Sequence, residues 1–449
     1  MSSVALVYGV GLSGEALTEA LVARGWEVVI ADDVATETAL KVASANGVDL
    51  LVQPDEAVLA EIVRRCAVVC PAPGIPEHHR VIGAALASGT PIRSEIDLAY
   101  QWEQERPGGP RPILAVTGTD GKTTTTMLAA HLVEGSGMRC AAVGNTEVPF
   151  VAALADDVDA FVVECSSFRL RWTESFRANA SVWLNLAADH QNWHPSMDDY
   201  EAAKARLWAH RRPGDVAIGW AGDPVVMRHL ERAGGEVRTF ATADADYRVE
   251  GEWLVGPTGR VAPVRSLPRR LPHDVTNALA AIALVLEGGC ADVTSIAESL
   301  ATFRHPPHRI EPVGCVDGVE WFNDSKATTP HASLAAIRGF ERVVLLAGGR
   351  NKGLDLSELA TERDRIVGVV GLGEAADEIT AMFTPGCPTV AVSSMREAVE
   401  AAHRMARPGD VVLLSPACAS FDWYPTGGYP ARGDDFRQLV GALAQEGAA

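Results

Sequence analysis

Short apolar runs alternate with helix-like segments along most of the chain. Near the N-terminus, the run VALVYGV leads into the turn GLSG, the segment EALTEALVARG and a second apolar run in WEVVIADD. A strand, a glycine turn, a helix and another strand, in this order, form the repeating unit of a doubly wound parallel sheet. The pattern therefore predicts an α/β fold whose apolar strands are buried between layers of helices.

Two proline-rich stretches interrupt this alternation and predict domain boundaries. QERPGGPRP, at residues 104–112, has three prolines and two glycines in nine positions, and FRHPPHR occupies residues 303–309. Clusters of strand and helix breakers are typical of linkers, and a chain of this length has room for about three domains. We therefore predict three α/β domains: a Rossmann-like domain at residues 1–108, a central mononucleotide-binding domain with a P-loop at residues 109–305, and a second Rossmann-like domain at residues 306–449.

The composition excludes several classes of protein. The 449 residues carry a net charge of −19, which repels nucleic acid and anionic membrane surfaces, so we expect neither as a partner. No apolar run reaches the roughly 18 residues of a membrane-spanning helix, and the chain starts without a basic and apolar leader. Eight cysteines are too sparse for a disulfide framework. We expect a cytoplasmic protein without membrane insertion.

A candidate phosphate-binding loop, TGTDGKTTTT, lies between the apolar run ILAVTG and a helix-like segment. In a P-loop, backbone amides wrap the phosphates of a nucleotide, a lysine contacts their oxygens, and the next hydroxyl holds Mg²⁺. Gly118, Gly121, Lys122 and Thr123 can fill these roles, although Val116 stands where the usual pattern has its first glycine. The alternative is a tight turn between a strand and a helix with an incidental lysine.

Two further polar stretches follow predicted strands of the central domain. Glu164, in FVVECSS, is either a partner of Mg²⁺ or the acceptor in a local hydrogen-bond network, because a buried carboxylate requires one or the other. The stretch NLAADH ends with His190, and Lys204 follows in the helix-like EAAKARLW. A single histidine or lysine is usually structural or solvated, so these two residues alone indicate little.

The stretches PHRIE and FNDSKATTP follow the second boundary and contribute four charged or titratable residues, His308, Arg309, Asp324 and Lys326. Such a cluster suits a phosphoryl group in transfer, whose charge needs cations already in place. The alternative is a surface cluster of salt bridges that holds two domains together.

In this order and spacing, the motifs resemble those of the Mur ligase family of peptidoglycan synthesis, and within it the members that add D-glutamate to UDP-N-acetylmuramoyl-L-alanine. TGTDGKTT is similar to the family's short G-x-x-G-K loop, which accounts for the missing glycine. The family's ESS, DH, PHR and NDSKAT motifs recur, and SPACASFD, at residues 415–422, is similar to the family's ending. The resemblance covers nearly the whole chain. It implies an ATP-dependent acid–amino-acid ligase that works through an acyl phosphate, as a monomer.

The resemblance implies roles for individual residues of the central and C-terminal domains. The catalytic residues would be Lys122, Glu164, His190 and Lys204, and two Mg²⁺ ions would be held by Thr123, Glu164, His190 and Lys204, the last matching a family lysine carried as a carbamate. ATP would be contacted by Gly118, Thr119, Gly121, Lys122, Thr123, Thr124, Asn277, Arg309 and Asp324. Capture of CO₂ turns a lysine that repels a metal ion into an anion that binds one.

The resemblance also implies the contacts of both substrates. On the UDP-linked substrate they would be Leu12 and Ser13 near the diphosphate, Asp32 near the uracil and Asn145 facing the acceptor end, and Gly74 and His308 would also contact a substrate. The incoming glutamate would meet Lys326, Thr328, Lys352, Ser420 and Phe421. A lysine and hydroxyl groups suit a dicarboxylic amino acid.

Some positions depart from the family pattern and leave alternatives open. Asp120, Asn192 and Asp274 replace the residues usual there, and the segment at residues 421–431 is longer than usual. A related Mur-type ligase that adds another amino acid, L-glutamate included, is therefore the alternative. GVGLSG also fits the dinucleotide turn of a Rossmann oxidoreductase, which would leave TGTDGKT and NDSKAT unexplained. A folylpolyglutamate-type synthetase would leave the N-terminal turn unexplained.

Overall fold

The computed structural model describes residues 3–446 as a mixture of strands and helices. The strands are β1 (Val4–Tyr8), β2 (Glu27–Asp32), β3 (Asp49–Val52), β4 (Val68–Pro71), β5 (Ile113–Thr117), β6 (Cys140–Gly144), β7 (Ala160–Glu164), β8 (Ala180–Trp183), β9 (Val216–Trp220), β10 (Glu236–Phe240), β11 (Arg248–Glu250), β12 (Trp253–Gly256), β13 (Gly259–Pro263), β14 (Glu311–Val316), β15 (Val319–Asn323), β16 (Val343–Gly348), β17 (Ile366–Leu372), β18 (Thr389–Ala391) and β19 (Val411–Ala417).

The α-helices surround these strands in the alternating order that the apolar pattern predicts. They are α1 (Leu12–Ala23), α2 (Glu37–Asn46), α3 (Glu56–Arg65), α4 (Arg80–Ser88), α5 (Glu95–Gln104), α6 (Lys122–Gly135), α7 (Ser167–Arg171), α8 (Met197–Ala205), α9 (Pro224–Ala233), α10 (Pro272–Glu287), α11 (Val293–Thr302), α12 (Pro330–Ile337), α13 (Ala376–Phe383), α14 (Met395–Met405) and α15 (Gly428–Glu446). Within the described range, no helix combines the length and apolar character needed to cross a bilayer.

The N-terminal sheet has four parallel strands in the order β3-β2-β1-β4. Residues Ala5, Leu6, Val7 and Tyr8 of the central strand β1 are fully buried. Both faces of this strand are covered, which is why its sequence is an uninterrupted apolar run rather than an alternating one.

The next sheet has six parallel strands in the order β10-β9-β8-β5-β7-β6. Strand β5 lies between β8 and β7, so the loop that leaves its carboxyl end is flanked by the ends of both neighbours. In parallel α/β sheets, ligands bind at this edge. A small antiparallel sheet, β11-β12-β13, follows in the chain.

The last sheet has six strands in the order β14-β15-β19-β16-β17-β18. Strand β14 is antiparallel to β15, and every other neighbouring pair is parallel. Strands β16 and β19 at its centre are buried along their whole length. Their continuous apolar sequences again reflect burial on both faces.

The chain divides into two compact units. The first comprises Met1–Leu186, His190–Arg269 and Asp274–Phe303, and the second comprises Ala187–Asp189, Arg270–His273 and Arg304–Ala449. The first unit contains the N-terminal sheet, the six-stranded parallel sheet and the small antiparallel sheet, and the second contains the mixed sheet. An α/β architecture built on parallel strands is thus confirmed, and the division into domains at residues 1–108, 109–305 and 306–449 stays a prediction.

Candidate functional site

The predicted phosphate loop connects the end of β5 to the start of α6. Gly121 has a φ of +82°, which favours glycine, and a Cβ atom placed on it would lie 2.6 Å from Oδ1 of Asn277. Asn277 therefore packs directly against the turn, and its place beside a nucleotide stays a prediction. Thr123 and Thr124 lie in the first turn of α6, so the N-terminal end of that helix faces the loop.

Asn185, which the sequence did not single out, holds this loop in shape. Its Oδ1 accepts hydrogen bonds from the backbone N–H groups of Thr119 and Asp120, each at 2.9 Å, and its Nδ2 donates to the carbonyl oxygen of Asp120 at 3.2 Å. Asn185 follows β8, the strand that pairs with β5. In the sequence, Asn185 is a polar residue directly after the apolar run SVWL. This position indicates a contact with the loop only once β5 and β8 are known to be neighbours.

The two predicted catalytic lysines meet at one carbonyl oxygen. Lys122 Nζ donates to the carbonyl oxygens of Gly118 at 2.9 Å and Thr119 at 2.7 Å. Lys204 Nζ donates to the same oxygen of Gly118 at 2.7 Å and lies 4.5 Å from the ring centre of Tyr200. Lys204 is only 1% exposed, so its ammonium group is held inside the protein. The structure therefore brings together two residues that are far apart in sequence.

Glu164 ends β7 and is paired in register with Val116 of β5, next to the loop. Its side chain is buried, and Oε1 accepts a hydrogen bond from Nδ2 of Asn145 at 2.8 Å, whereas Oε2 has no hydrogen-bond partner in the part of the chain that the structure describes. The hydrogen-bond alternative is thus confirmed for Oε1, and the role of Glu164 as a partner of Mg²⁺ stays a prediction. A buried carboxylate oxygen without a partner costs free energy unless a cation or a donor meets it.

The unpaired oxygen of Glu164 fits Mg²⁺. This ion is usually bound through one or two protein carboxylates together with phosphates and water, rather than by an all-protein cage. Among residues 3–446, no group of three or more His, Cys, Asp or Glu side chains is arranged to hold a metal ion by itself. The residues present therefore suit an ion that arrives with a nucleotide and uses Glu164 as its protein carboxylate.

His190 lies against the aromatic side chains around Lys204. Its ring centre is 4.6 Å from that of Phe168 and 6.0 Å from that of Tyr200, which also contacts Lys204. The backbone of His190 has a φ of +57°, an uncommon conformation for a residue with a side chain. Such strained positions cluster at functional sites.

The N-terminal glycine turn follows β1 and is tightly packed. A Cβ atom on Gly14 would lie 2.2 Å from the carbonyl oxygen of Gly9, so helix α1 starts in direct contact with the turn. The Oδ2 atom of Asp32 accepts a hydrogen bond from the N–H of Val10 at 2.9 Å. Three other predicted contacts lie near chain turns: Leu12 is exposed at the start of α1, Ser13 is buried beside it, and Gly74 is exposed after β4.

In the second unit, Asp324 and His308 are both buried and hydrogen-bonded. The carboxylate oxygens of Asp324 accept hydrogen bonds from the N–H of Ile310 at 3.2 Å and from Oγ of Ser415 at 2.8 Å. Burial lowers the pKa of His308 from its ordinary value, although Glu311 and Asp434 act in the opposite direction. Nδ2 of Asn323 lies 2.9 Å from Nδ1 of His308, which fits a neutral ring that accepts at this nitrogen.

The predicted amino-acid contacts lie in the same unit but form separate pairs. Lys326 Nζ donates to the hydroxyl of Tyr429 at 2.7 Å and lies 4.0 Å from the centre of its ring. Lys352 Nζ lies 3.4 Å from Oγ1 of Thr328. The two remaining residues differ in exposure, since Ser420 is buried and Phe421 is exposed, and Arg309 is half-buried.

The comparisons with known proteins agree with these motifs. The Mur ligase middle domain matches residues 116–285, and the Mur ligase glutamate ligase domain matches residues 308–418. A UDP-N-acetylmuramoylalanine–D-glutamate ligase of Frankia casuarinae is 38% identical over 460 residues, which cover 97% of this chain and 93% of that protein. The chain belongs to the Mur ligase family. A second ligase of the same name, from Pelotomaculum thermopropionicum, is 37% identical to this Mur ligase and covers 98% of the chain and 97% of its own length.

A solved structure extends the likeness of this Mur ligase to the level of the fold. The UDP-N-acetylmuramate–alanine ligase of Thermotoga maritima superimposes with a TM-score of 0.61 at 18% sequence identity, and the match covers 98% of this chain and 100% of the other. At this identity the comparison supports the α/β fold alone.

Sequence reasoning also missed a buried network next to Glu164 in this Mur ligase. Arg169 is 6% exposed and contacts Glu95, Asn145 and Ser13, which come from three distant parts of the chain. Nearby, His194 lies between Glu77, at 2.8 Å, and Ser167, at 2.9 Å. Because Ser167 ends the stretch FVVECSS and Arg169 lies two residues after it, their position in the chain was a usable signal, but their partners were not predictable.

Proposed function

We propose that this Mur ligase joins D-glutamate to the carboxylate of UDP-N-acetylmuramoyl-L-alanine and converts ATP to ADP and phosphate. Relatives named for this activity match nearly the whole chain, which supports the choice of substrates. The observation from this chain that carries the proposal is the buried, unpaired Oε2 of Glu164 on the strand next to the Lys122 loop. Such an oxygen beside a phosphate loop suits a nucleotide that arrives with a cation.

In the proposed reaction, the substrate carboxylate attacks the γ-phosphorus of ATP and gives an acyl phosphate and ADP. The glutamate amine then attacks the acyl carbon, loses a proton and forms the amide bond as phosphate leaves. Lys122 already lies at the loop, and its ammonium group exchanges the carbonyl oxygens of Gly118 and Thr119 for phosphate oxygens when ATP binds. The positive charge offsets the repulsion between a carboxylate and a triphosphate.

Thr123, Glu164, His190 and Lys204 would hold the metal ions in this proposal. Mg²⁺, when bound, would supply positive charge that stabilises the transferring phosphoryl group. Two ions would be present, one with Thr123 and Glu164 and one with His190 and Lys204 as a carbamate. A carbamate keeps one N–H, so the hydrogen bond from Lys204 to the carbonyl oxygen of Gly118 is compatible with the modification.

The incoming amino acid would bind to the second unit through Lys326, Thr328, Lys352 and Ser420, with Phe421 beside it. Two ammonium groups suit a substrate with two carboxylates. Arg309 and Asp324 would contact ATP. We further propose that residues 1–108 bind the UDP-linked substrate, residues 109–305 bind ATP and residues 306–449 bind glutamate, and that the enzyme is a cytoplasmic monomer.

The experiment that tests the function is phosphate release from ATP and Mg²⁺ in the presence of UDP-N-acetylmuramoyl-L-alanine and a panel of D- and L-amino acids. We expect release with D-glutamate and none in the control without an amino acid. Release with another amino acid would keep the ligase chemistry and assign the substrate choice to the longer segment at residues 421–431. No release with any amino acid would contradict the proposal.

A further inference from the structure

Arg169, in the middle of α7, connects the N-terminal turn to the carboxylate of Glu164. Its Nε donates to Oε1 of Glu95 at 3.2 Å, its Nη1 donates to Oδ1 of Asn145 at 2.6 Å, and its Nη2 donates to Oγ of Ser13 at 2.8 Å. Arg169 and Glu95 are both almost fully buried. One guanidinium group thus orients three side chains that lie far apart in the chain.

These contacts allow only one orientation of the Asn145 amide. A guanidinium group has donors and no acceptor, and an ionised carboxylate has acceptors and no donor. Asn145 lies between one of each, because Oδ1 faces Arg169 while Nδ2 donates to Oε1 of Glu164 at 2.8 Å. A reversed amide would place Nδ2 against the guanidinium and Oδ1 against the carboxylate. Arg169 therefore commits Nδ2 to Oε1 and leaves Oε2 of Glu164 as the oxygen without a partner.

We propose that Arg169 is a positioning residue that, through Asn145, directs Oε2 of Glu164 to the divalent cation that accompanies ATP. The inference rests on the proposed function, and Arg169 itself contacts neither the cation nor the reacting atoms. Groups that orient a metal ligand in this way typically change metal affinity by about 10-fold to 100-fold when they are replaced.

The substitution Arg169→Lys distinguishes the effect of the positive charge at this position from the effect of the planar guanidinium group. Burial raises the pKa of Glu95, although Arg169 acts in the opposite direction, so removal of the positive charge would disturb this carboxylate as well. Arg169→Lys keeps a positive charge for Glu95, but a single ammonium group cannot reproduce the planar fork that reaches Glu95, Asn145 and Ser13 together.

Arg111 provides a matched control. It is 7% exposed and pairs with the buried Glu103 at 2.7 Å, it donates to the carbonyl oxygens of Leu154 and Asp156, and its guanidinium group lies 4.3 Å from the ring centre of Phe161. None of these residues is a candidate site residue. Arg111→Lys therefore perturbs a buried arginine–glutamate pair of the same kind without reaching Asn145.

The test is the binding of Mn²⁺, measured by electron paramagnetic resonance, to the whole protein with a non-hydrolysable ATP analogue. We expect the Mn²⁺ dissociation constant to rise at least about 10-fold in Arg169→Lys and to stay unchanged in Arg111→Lys. If Arg169→Lys does not fold, the double variant Arg169→Gln with Glu95→Gln, which has no buried charge at either position, takes its place with the same expected rise.

Equal Mn²⁺ affinity in the wild type and the folded Arg169 variant would overturn the proposal, as would equal losses in the Arg169 and Arg111 variants. A wild type that binds no Mn²⁺ with the analogue would overturn it as well. Failure of the proposed function would look different, because the wild type would then bind Mn²⁺ and the analogue but release no phosphate with any amino acid.

Discussion

Replacement of Asn185 by alanine would loosen the phosphate loop without touching the nucleotide. The substitution removes the three hydrogen bonds that the side chain makes to Thr119 and Asp120, whereas the bond from the N–H of Thr119 to the backbone oxygen of residue 185 remains. A neutral hydrogen bond contributes about 1 kcal/mol net. Because the N–H of Thr119 keeps its bond to the backbone oxygen of residue 185, only two of the three groups lose their partner. We therefore take about 2 kcal/mol as the stabilisation that the loop loses.

In Asn185→Ala, part of the binding free energy of ATP is used to order the loop that the Asn185 side chain no longer holds. Since each 1.4 kcal/mol corresponds to about a tenfold change in an equilibrium constant, a loss of about 2 kcal/mol predicts an affinity for ATP about 30-fold weaker in Asn185→Ala. Isothermal titration calorimetry with a non-hydrolysable ATP analogue measures the change directly. Guanidinium or urea unfolding, followed in parallel, measures the loss of global stability.

Asn179 is the matched control, because its side chain binds the start of β5, whereas Asn185 binds the loop that leaves the end of β5. Its Oδ1 accepts a hydrogen bond from the N–H of Ile113, the first residue of β5, at 3.0 Å. Asn179→Ala should lower the free energy of unfolding by about 1 kcal/mol and leave the affinity for ATP unchanged. An affinity within threefold of the wild type in Asn185→Ala, or an equal loss in Asn179→Ala, would refute the reasoning.

Three further predictions concern the loop, the metal carboxylate and the second unit. Lys122→Ala should abolish phosphate release, because no ammonium group then meets the phosphates, and it should lower the free energy of unfolding by about 2 kcal/mol, because two hydrogen bonds from Nζ to loop carbonyl oxygens are lost. Turnover near the wild-type rate would remove Lys122 from the site. Glu164→Gln keeps the size of the side chain but removes its charge, so Mn²⁺ affinity should fall at least about 10-fold, and an unchanged affinity would assign the ion to other groups. Burial lowers the pKa of His308 below its ordinary value of 6.5, so the unfolded chain takes up the proton first as the pH falls, and the wild type should lose stability from about pH 6.5 downward. In His308→Asn the free energy of unfolding should vary less between pH 7 and pH 5. If it varied with pH as much as in the wild type, His308 would not be the cause of the loss of stability.

The sequence predicted strands wherever both faces of a strand are buried. The runs in β1, β5, β7, β16 and β19 are continuous and apolar, and all five are strands in the structure. The antiparallel strands β11, β12 and β13 were not predicted, because they are short and partly exposed, and so carry no long apolar run. Parallel burial leaves a stronger trace in a sequence than a small sheet with one solvated face.

The residues of the candidate site were predictable only where the residue type and the surrounding sequence pattern indicate a ligand. Lys122 and Glu164 stand in patterns that indicate phosphates and a cation. Asn185 and Arg169 do not, because an asparagine or an arginine near a strand end is ordinary, and their partners lie 66 and 156 residues away in Thr119 and Ser13. The pairing of β5 with β8 brings Asn185 to the loop, and the packing of α7 brings Arg169 to Ser13 and Asn145. Single-residue patterns contain no such information.

The carbonyl group of Gly118 accepts a hydrogen bond from each of two lysines, Lys122 and Lys204. A single backbone oxygen therefore contacts both Lys122, which we propose binds phosphate, and the buried Lys204. With a ¹³C label at this carbonyl carbon, the chemical shift would move once when a nucleotide draws Lys122 away and again when the nitrogen of Lys204 changes its charge. The order of those two steps could then be followed in one spectrum, with no probe attached to either side chain.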